Sequence, residues 1–384
     1  MIKIVTIIGA RPQIIKAAAL SRAIKQHFSN SIQEIIVHTG QHYDESMSSV
    51  FFDELSIPYP NYNLNAGSST HGKQTSLMIV GIEDILEKEK PDCVVVYGDT
   101  NSTIAASIAA SKIHIPLVHI EAGLRSFNKS MPEEVNRIVC DHVSTLLFAP
   151  TEAGYKNLLS EGFKENRSDS CSIDDPKIFH CGDVMFDNSL FFADLADSKT
   201  SIVKDLELDP NGYILATIHR DSNTDDPTRL RSILESFDVI TKEFSIDVVL
   251  PLHPRTSKMI KEKLDPGFIQ KIESNHRIKQ SAPVSFLEMT ALERNSKLVI
   301  TDSGGVQKEA FFFKKPCVIL RAQTEWVELV ECGSARLADA NAKEIISCVA
   351  YFFSKSDLIF PDFFGDGKTA EFICKEILSA FKPS

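Results

Sequence analysis

A chain of 384 residues is too long for one comfortable hydrophobic core and predicts about two domains of ordinary size. With 43% apolar and 24% charged residues it is globular rather than disordered. Its net charge of −11 excludes a general nucleic-acid binder, which needs surplus Lys and Arg against phosphate, but leaves room for a small basic pocket around a diphosphate.

The first predicted element is a strand, Lys3 to Ile8. This short apolar run ends in Gly-Ala-Arg-Pro, which suits a buried strand and not a signal peptide. Helical periodicity follows over Gln13 to Ile24, then a strand over Glu34 to Thr39 and a helix near Met47 to Leu55. Cys93 to Tyr97 is a strand, Thr100 to Ile113 a helix, Pro116 to Ile120 a strand, Glu133 to Val143 a helix, and Leu146 to Phe148 closes the series. Lys164 to Lys177 is polar and aperiodic and predicts a surface loop. The first domain is therefore placed at residues 1–170 and the second at 171–366, with a helical tail, 367–384, able to pack back on the first. The pattern restarts with strands over Tyr213 to Thr217, Asp247 to Pro251, Lys297 to Thr301 and Cys317 to Leu320, separated by helical stretches such as Arg229 to Lys242. Such alternation predicts two doubly wound, Rossmann-like α/β domains, each a parallel sheet covered by helices. No window holds the roughly eighteen consecutive apolar residues that insertion into a membrane needs. The eight cysteines form no Cys-x-x-Cys, so they read as reduced core thiols of a cytoplasmic protein.

Ligands of open α/β sheets bind outside the carboxyl ends of the strands. Those ends carry Gly9-Ala10-Arg11-Pro12 with Lys16 a turn later, Thr39-Gly40-Gln41-His42, Gly98-Asp99-Thr100 and Glu121-Ala122-Gly123-Leu124-Arg125. In the second half they carry His219-Arg220, His253-Pro254-Arg255, Asp302-Ser303-Gly304-Gly305 and Arg321 to Glu325. Together these outline one polar cleft. Ser303, Gly304 and Gly305 open a helix whose free N–H groups suit a phosphate, Glu309 can accept bonds from ribose hydroxyls, and Arg11, Lys16 and Arg220 can neutralise a diphosphate. A helix cap by Asp302 or Ser303 with a glycine turn accounts for the same residues. Asp99, Glu121, Glu133 and Glu134 can exchange protons if their environment tunes them, or can cap the helices they precede. His219 can equally be a structural hydrogen-bonding residue. Gly67 to Lys73 spells G-x-x-x-x-G-K, but Gln74 replaces the magnesium-binding Ser or Thr of a P-loop. No G-x-G-x-x-G follows a strand, and no zinc signature or hydrolase elbow is present.

Taken in order, Gly9-Ala10-Arg11-Pro12, Gly98-Asp99-Thr100, Glu121 to Arg125, Pro132-Glu133-Glu134-Val135-Asn136-Arg137, His219-Arg220 and Asp302 to Gly305 resemble the non-hydrolysing UDP-N-acetylglucosamine 2-epimerase family over nearly the whole chain. The resemblance implies a two-domain GT-B-like architecture with the active site in a central cleft. It also implies inversion at C2 of a UDP-linked 2-acetamido sugar through elimination and re-addition of UDP, with no metal and no cofactor. Asp99, Glu121 and Glu133 would handle protons, with Arg137 and His219 in support; Arg11, Lys16, Arg220, His253, Ser303, Gly304, Gly305 and Glu309 would hold UDP. A homodimer, a cytoplasmic location and a role in bacterial cell-surface polysaccharide or lipopolysaccharide synthesis follow from the same resemblance. The stretches around GARPQ, TGQHYD, VYGDTNST and EAGLRSFN are similar to the subgroup acting on UDP-2,3-diacetamido-2,3-dideoxyglucuronate, whose carboxylate would need a cation such as Arg125 or Lys73. Three positions depart from the family's pattern: Gln13 stands where Glu is common, and Asp221-Ser222 where Arg-Glu is common. A GT-B glycosyltransferase would share the UDP site without several carboxylates around C2, and a hydrolysing relative would release free sugar.

Overall fold

The structure, a computed structural model, describes residues 1–41, 52, 57–165 and 170–381. The chain divides into two compact units, one comprising Met1–Asn188 and Asp362–Ser384, the other Ser189–Pro361. Both are doubly wound. Each sheet is wholly parallel, and its inner strands are apolar on both faces because helices cover both.

In the first unit seven strands run β1 (Ile2–Ile8), β2 (Ile32–His38), β3 (Tyr62–Asn63), β4 (Cys93–Tyr97), β5 (Leu117–Ile120), β6 (Leu146–Ala149) and β7 (Lys177–His180). Their spatial order is β3-β2-β1-β4-β5-β6-β7, so the order reverses between β1 and β4. Every residue of β4, β5 and β6 is buried. Val5, Ile7, Val94 and Val96 pack against Met78 and Ile82 of the helix His71–Glu89 and against the alanines of Asn101–Lys112. The predicted helix at 13–24 spans Arg11–Ala23 and runs into a π-helical turn, Ile24–Phe28. The helix expected near Met47 to Leu55, apart from Phe52, and His42 lie outside the described residues.

The second unit holds β8 (Tyr213–Thr217), β9 (Asp247–Pro251), β10 (Ile278–Ser281), β11 (Leu298–Thr301), β12 (Cys317–Ile319) and β13 (Ala335–Leu337) in the order β10-β9-β8-β11-β12-β13, reversing between β8 and β11. Its core joins Ile214, Ala216, Val248, Leu250 and Ile300 to Leu230, Leu234 and Phe237 of the helix Pro227–Glu243 and to Ile345 and Val349 of Ala342–Phe353.

The division falls after Asn188 rather than between residues 170 and 171. The reason is β7, which pairs in register with β6 from Lys177 to His180 and so belongs to the first sheet. The polar stretch expected to mark the boundary is a loop of that unit. The helix Thr369–Ala380 also belongs to the first unit and packs on Arg11–Ala23. Asp187 accepts hydrogen bonds from the Thr369 and Ala370 N–H groups at 3.1 and 2.7 Å, acting as a cap supplied from another helix.

Candidate functional site

In the first unit the polar cluster sits where the strand order reverses. Lys16, a turn and a half into the helix after β1, ion-pairs with Glu121 at the end of β5. Arg137, on the helix Pro132–His142, ion-pairs with Asp99 at the end of β4 and, at 2.7 Å, with Glu134. The four side chains Lys16, Glu121, Asp99 and Arg137 are only 13–29% exposed. Burial alone would lower the Lys16 pKa, but Glu121, with Asp99 and Asp183 beyond it, outweighs this and raises it, so the ammonium persists. Burial pushes the Asp99 carboxyl up; Arg137 and Lys16 pull it back and Glu121 pushes further. Two carboxyls with two cations, one carboxyl biased toward holding its proton, form a set able both to take and to give protons.

Backbone geometry fixes this cluster. Glu121 has φ +75°, a left-handed conformation that costs about 1–3 kcal/mol for a residue with a side chain and persists only where surroundings impose it. Its N–H and that of Ala122 both donate to Phe148 O at 3.0 Å. Gly98 (φ +60°) lies under Lys16: a Cβ there would sit 3.5 Å from the Lys16 Nζ. Gln13 accepts from the Gly9 N–H at 2.9 Å and donates to Tyr97 O at 2.9 Å and Thr103 Oγ1 at 3.0 Å. A glutamate here could not make the last two bonds as a donor when ionised. Gln13 therefore clamps the end of β1 to the end of β4.

The second unit reverses between β8 and β11, and Asp302 joins their ends. Its buried carboxylate accepts from the His219 N–H (2.9 and 3.1 Å), the Arg220 N–H (3.1 Å) and Asn223 Nδ2 (2.9 Å). It does not cap the following helix, and Ser303, which holds the cap position of Gly304–Phe312, makes no side-chain cap bond either. The first-turn N–H groups of that nine-residue helix thus lack the side-chain acceptor that usually covers them. Gly304 lies close under Glu325: a Cβ would meet Oε1 at 2.0 Å and push that half-exposed side chain aside, and the Gly304 carbonyl accepts from Trp326 Nε1 at 3.0 Å. The His219 and His253 rings stand edge-on, 6.4 Å between centroids. Partial burial lowers the His219 pKa, with Asp302 opposing and His253 assisting. Burial raises Glu309 to about 7, against the pull of Lys308, and drives the neighbouring Glu293 well above the usual carboxylate range.

Of the expected residues, Lys16, Asp99, Glu121 and Arg137 form one cluster, while His219, Arg220, Ser303 and Gly304 lie along the joined ends of β8 and β11. Arg11 and Glu133 are exposed in the first turns of their helices. Glu134, weighed in the sequence only as one of a first-turn pair, is the buried member: it binds Arg137 and accepts from the Ser126 and Phe127 N–H groups at 2.9 and 3.0 Å. Asp99 does not cap the helix after it; Thr100 holds that position. Arg125 is not available to a substrate carboxylate. Its side chain is 1% exposed and held by Asp141 and Glu161, both at 2.7 Å. Lys73 is exposed in the first turn of His71–Glu89. Asp221, where Arg is common, ion-pairs with Arg255, which also holds Asp225. Asn136, which donates to Asp99 O at 2.9 Å, was not foreseen. Its signal was present: Glu134, Arg137 and Asp141 recur at i, i+3 and i+7 beside Asn136, giving the helix an unusually polar inner face.

A family model described as UDP-N-acetylglucosamine 2-epimerase matches residues 23–378. The chain is 48% identical over 377 residues to the UDP-2,3-diacetamido-2,3-dideoxy-D-glucuronate 2-epimerase of Pseudomonas aeruginosa, covering 97% of this chain and 99% of that one. It is 42% identical over 376 residues to the UDP-N-acetylglucosamine 2-epimerase of Methanocaldococcus jannaschii, covering 97% and 98%. A solved structure of the UDP-GlcNAc 2-epimerase from Methanocaldococcus jannaschii superposes with a TM-score of 0.85 at 40% identity, covering 98% of this chain and 99% of that one. A complex with UDP-GlcNAc and UDP gives 0.78 at 41% identity, with the same coverage.

Proposed function

We propose, from the premise that this chain belongs to the UDP-N-acetylglucosamine 2-epimerase family, that it inverts C2 of a UDP-linked 2-acetamido sugar without net hydrolysis. The observation that carries this reading is the paired arrangement Lys16–Glu121 and Arg137–Asp99 at the reversal point of the first sheet. The C2 hydrogen has no adjacent carbonyl to acidify it, so its removal must be coupled to departure of a good leaving group. A carboxylate takes the C2 proton, the C1–O bond breaks with its electron pair leaving on UDP, and a C1=C2 double bond remains in a 2-acetamidoglucal. UDP then adds back to C1 while a second acid delivers a proton to the other face of C2. Asp99, Glu121 and Glu133 are the proposed proton carriers, and Arg137 and His219 support the charge that develops. Arg11, Lys16 and Arg220 would neutralise the diphosphate. His253, Ser303, Gly304 and Gly305 would hold it at the uncapped helix end, and Glu309 would bind the ribose.

The Pseudomonas aeruginosa relative favours the 2,3-diacetamido-glucuronate as substrate, with Lys73 as the cation left for its C6 carboxylate. A bacterial cytoplasmic enzyme of surface-polysaccharide synthesis fits the eight free thiols. Leu77 and Val80, 59% and 62% exposed on one helix face, support a homodimer. No helix among the described residues is long and apolar enough to cross a membrane.

The direct test is incubation with UDP-N-acetylglucosamine, and separately with its diacetamido-glucuronate analogue, in deuterated water without an acceptor sugar. Deuterium should enter C2 of a UDP-linked product. Free sugar as the only product would indicate a hydrolase, and no exchange with either substrate would remove the epimerase reading. A second expected result concerns pH. If the ionised form of Glu309 holds the ribose, UDP affinity should be full above its pKa of about 7 and weaken about tenfold between pH 8 and pH 6, as protonation discharges the group and turns one acceptor oxygen into a donor. Titration calorimetry should show a steeper slope in the wild type than in Glu309→Gln, where the terminal phosphate of UDP still titrates. A slope unchanged in the variant would mean another group titrates.

A further inference from the structure

Behind the cluster of the first unit lies a second set of charges that the reaction above does not use. His119, on β5, is fully buried. One ring nitrogen, Nε2, meets the carbonyl of Gly98 at 2.8 Å; the other, Nδ1, meets Asp141 Oδ1 at 2.6 Å. Both partners are acceptors, so both ring nitrogens donate and the ring is an imidazolium. The other carboxylate oxygen of Asp141 accepts from the Gly123 N–H at 3.1 Å and from Arg125 at 2.7 Å, and Arg125 in turn grips Glu161 with two bonds of 2.7 Å. The chain alternates in sign, which makes its burial tolerable. Its two inner ends fall on Gly98 and Gly123, the residue before Asp99 and the second residue after Glu121. All three of Gly98, Glu121 and Gly123 are left-handed, at φ +60°, +75° and +76°. The two glycines take this conformation freely, but Glu121 between them carries a side chain and holds it only where its surroundings impose it.

We propose that His119 and Asp141 are positioning residues for the epimerisation: their buried ion pair ties the Gly98 and Gly123 backbones together and so fixes the spacing of Asp99 and Glu121. This rests on the proton-transfer roles proposed above for those two carboxyls. His119 and Asp141 are both fully buried and act through the backbone. Two carboxyls that must act in sequence on opposite faces of one carbon tolerate little error, and a misplacement near 1 Å costs on the order of a hundredfold in rate.

His119→Gln has one amide to replace two ring nitrogens and cannot bridge both partners. It should lower kcat about a hundredfold while UDP affinity stays within twofold, and free UDP should accumulate as the glucal is reprotonated poorly. Asp141→Asn keeps an acceptor for Gly123 and a partner for a neutral ring but gives up the ion pair, and should lower kcat about tenfold with UDP affinity within twofold. The readouts are kcat and KM, UDP titration, and UDP release per turnover. A His119→Gln enzyme with wild-type kcat, or one that loses kcat and UDP affinity in parallel, overturns the positioning role. If that variant does not fold, Asp141→Asn decides: a wild-type kcat, or a matching loss of UDP affinity, is equally fatal. Absence of C2 deuterium exchange in the wild type would instead strike the proposed function itself.

Discussion

Replacing Glu121 by Gln is expected to lower turnover about a thousandfold and to leave the dissociation constant of UDP within about threefold of the wild type. The amide matches the carboxylate in shape and still offers an oxygen to the Lys16 ammonium, which Asp99 and Asp183 also attract, so the local structure should survive. What disappears is the capacity to bind a proton in transit, an effect worth about 10²–10⁴ in rate when a positioned acid or base is lost. Steady-state kinetics with a UDP-linked substrate and calorimetry with UDP alone separate the two quantities. Equal losses in both would mean that Glu121 binds substrate uniformly and carries no proton.

Asp302→Ala is expected to destabilise the second unit by about 3 kcal/mol, since it strips acceptors from two backbone N–H groups and a buried amide at once. Asn223 also donates to Leu320 O and receives Arg229 through its carbonyl, so the loss spreads from β8 to β12. Hydrogen exchange should locate the damage: amides of residues 218–223 should lose protection before those of β9. UDP affinity should fall with it, because the His219–Arg220 turn would no longer be held. A stability within about 1 kcal/mol of the wild type would show that water replaces the carboxylate and that the turn supports itself.

The interior of both sheets was legible in the sequence and their rims were not. Every strand predicted from apolar runs, from Lys3 to Ile8 through Cys317 to Leu320, is a strand with neighbours on both sides. The four that escaped, β3, β7, β10 and β13, are edge strands. They are short and half polar, as Ile278-Lys279-Gln280-Ser281 illustrates, because an edge needs less apolar cover and benefits from charge. The missed β7 moved the domain boundary. The residues at the strand ends were legible for the converse reason: a buried strand announces where it stops, and the polar residues just past it stand out. What sequence could not supply was partnership. Arg125 follows the same strand as Glu121, yet it turns inward to Asp141, sixteen positions on, and serves the scaffold. His119 lies within an apolar run and gave no sign that both its nitrogens were engaged.

The tie between Asp187 and the start of the helix Thr369–Ala380 has a bearing on how the protein is made. The first sheet is complete by residue 180, yet the helix that covers Arg11–Ala23 emerges from the ribosome only after all of the second unit. A nascent chain halted at Asn188 would carry an unshielded greasy flank, so the intervening segment behaves as an insert that must fold before its host can close.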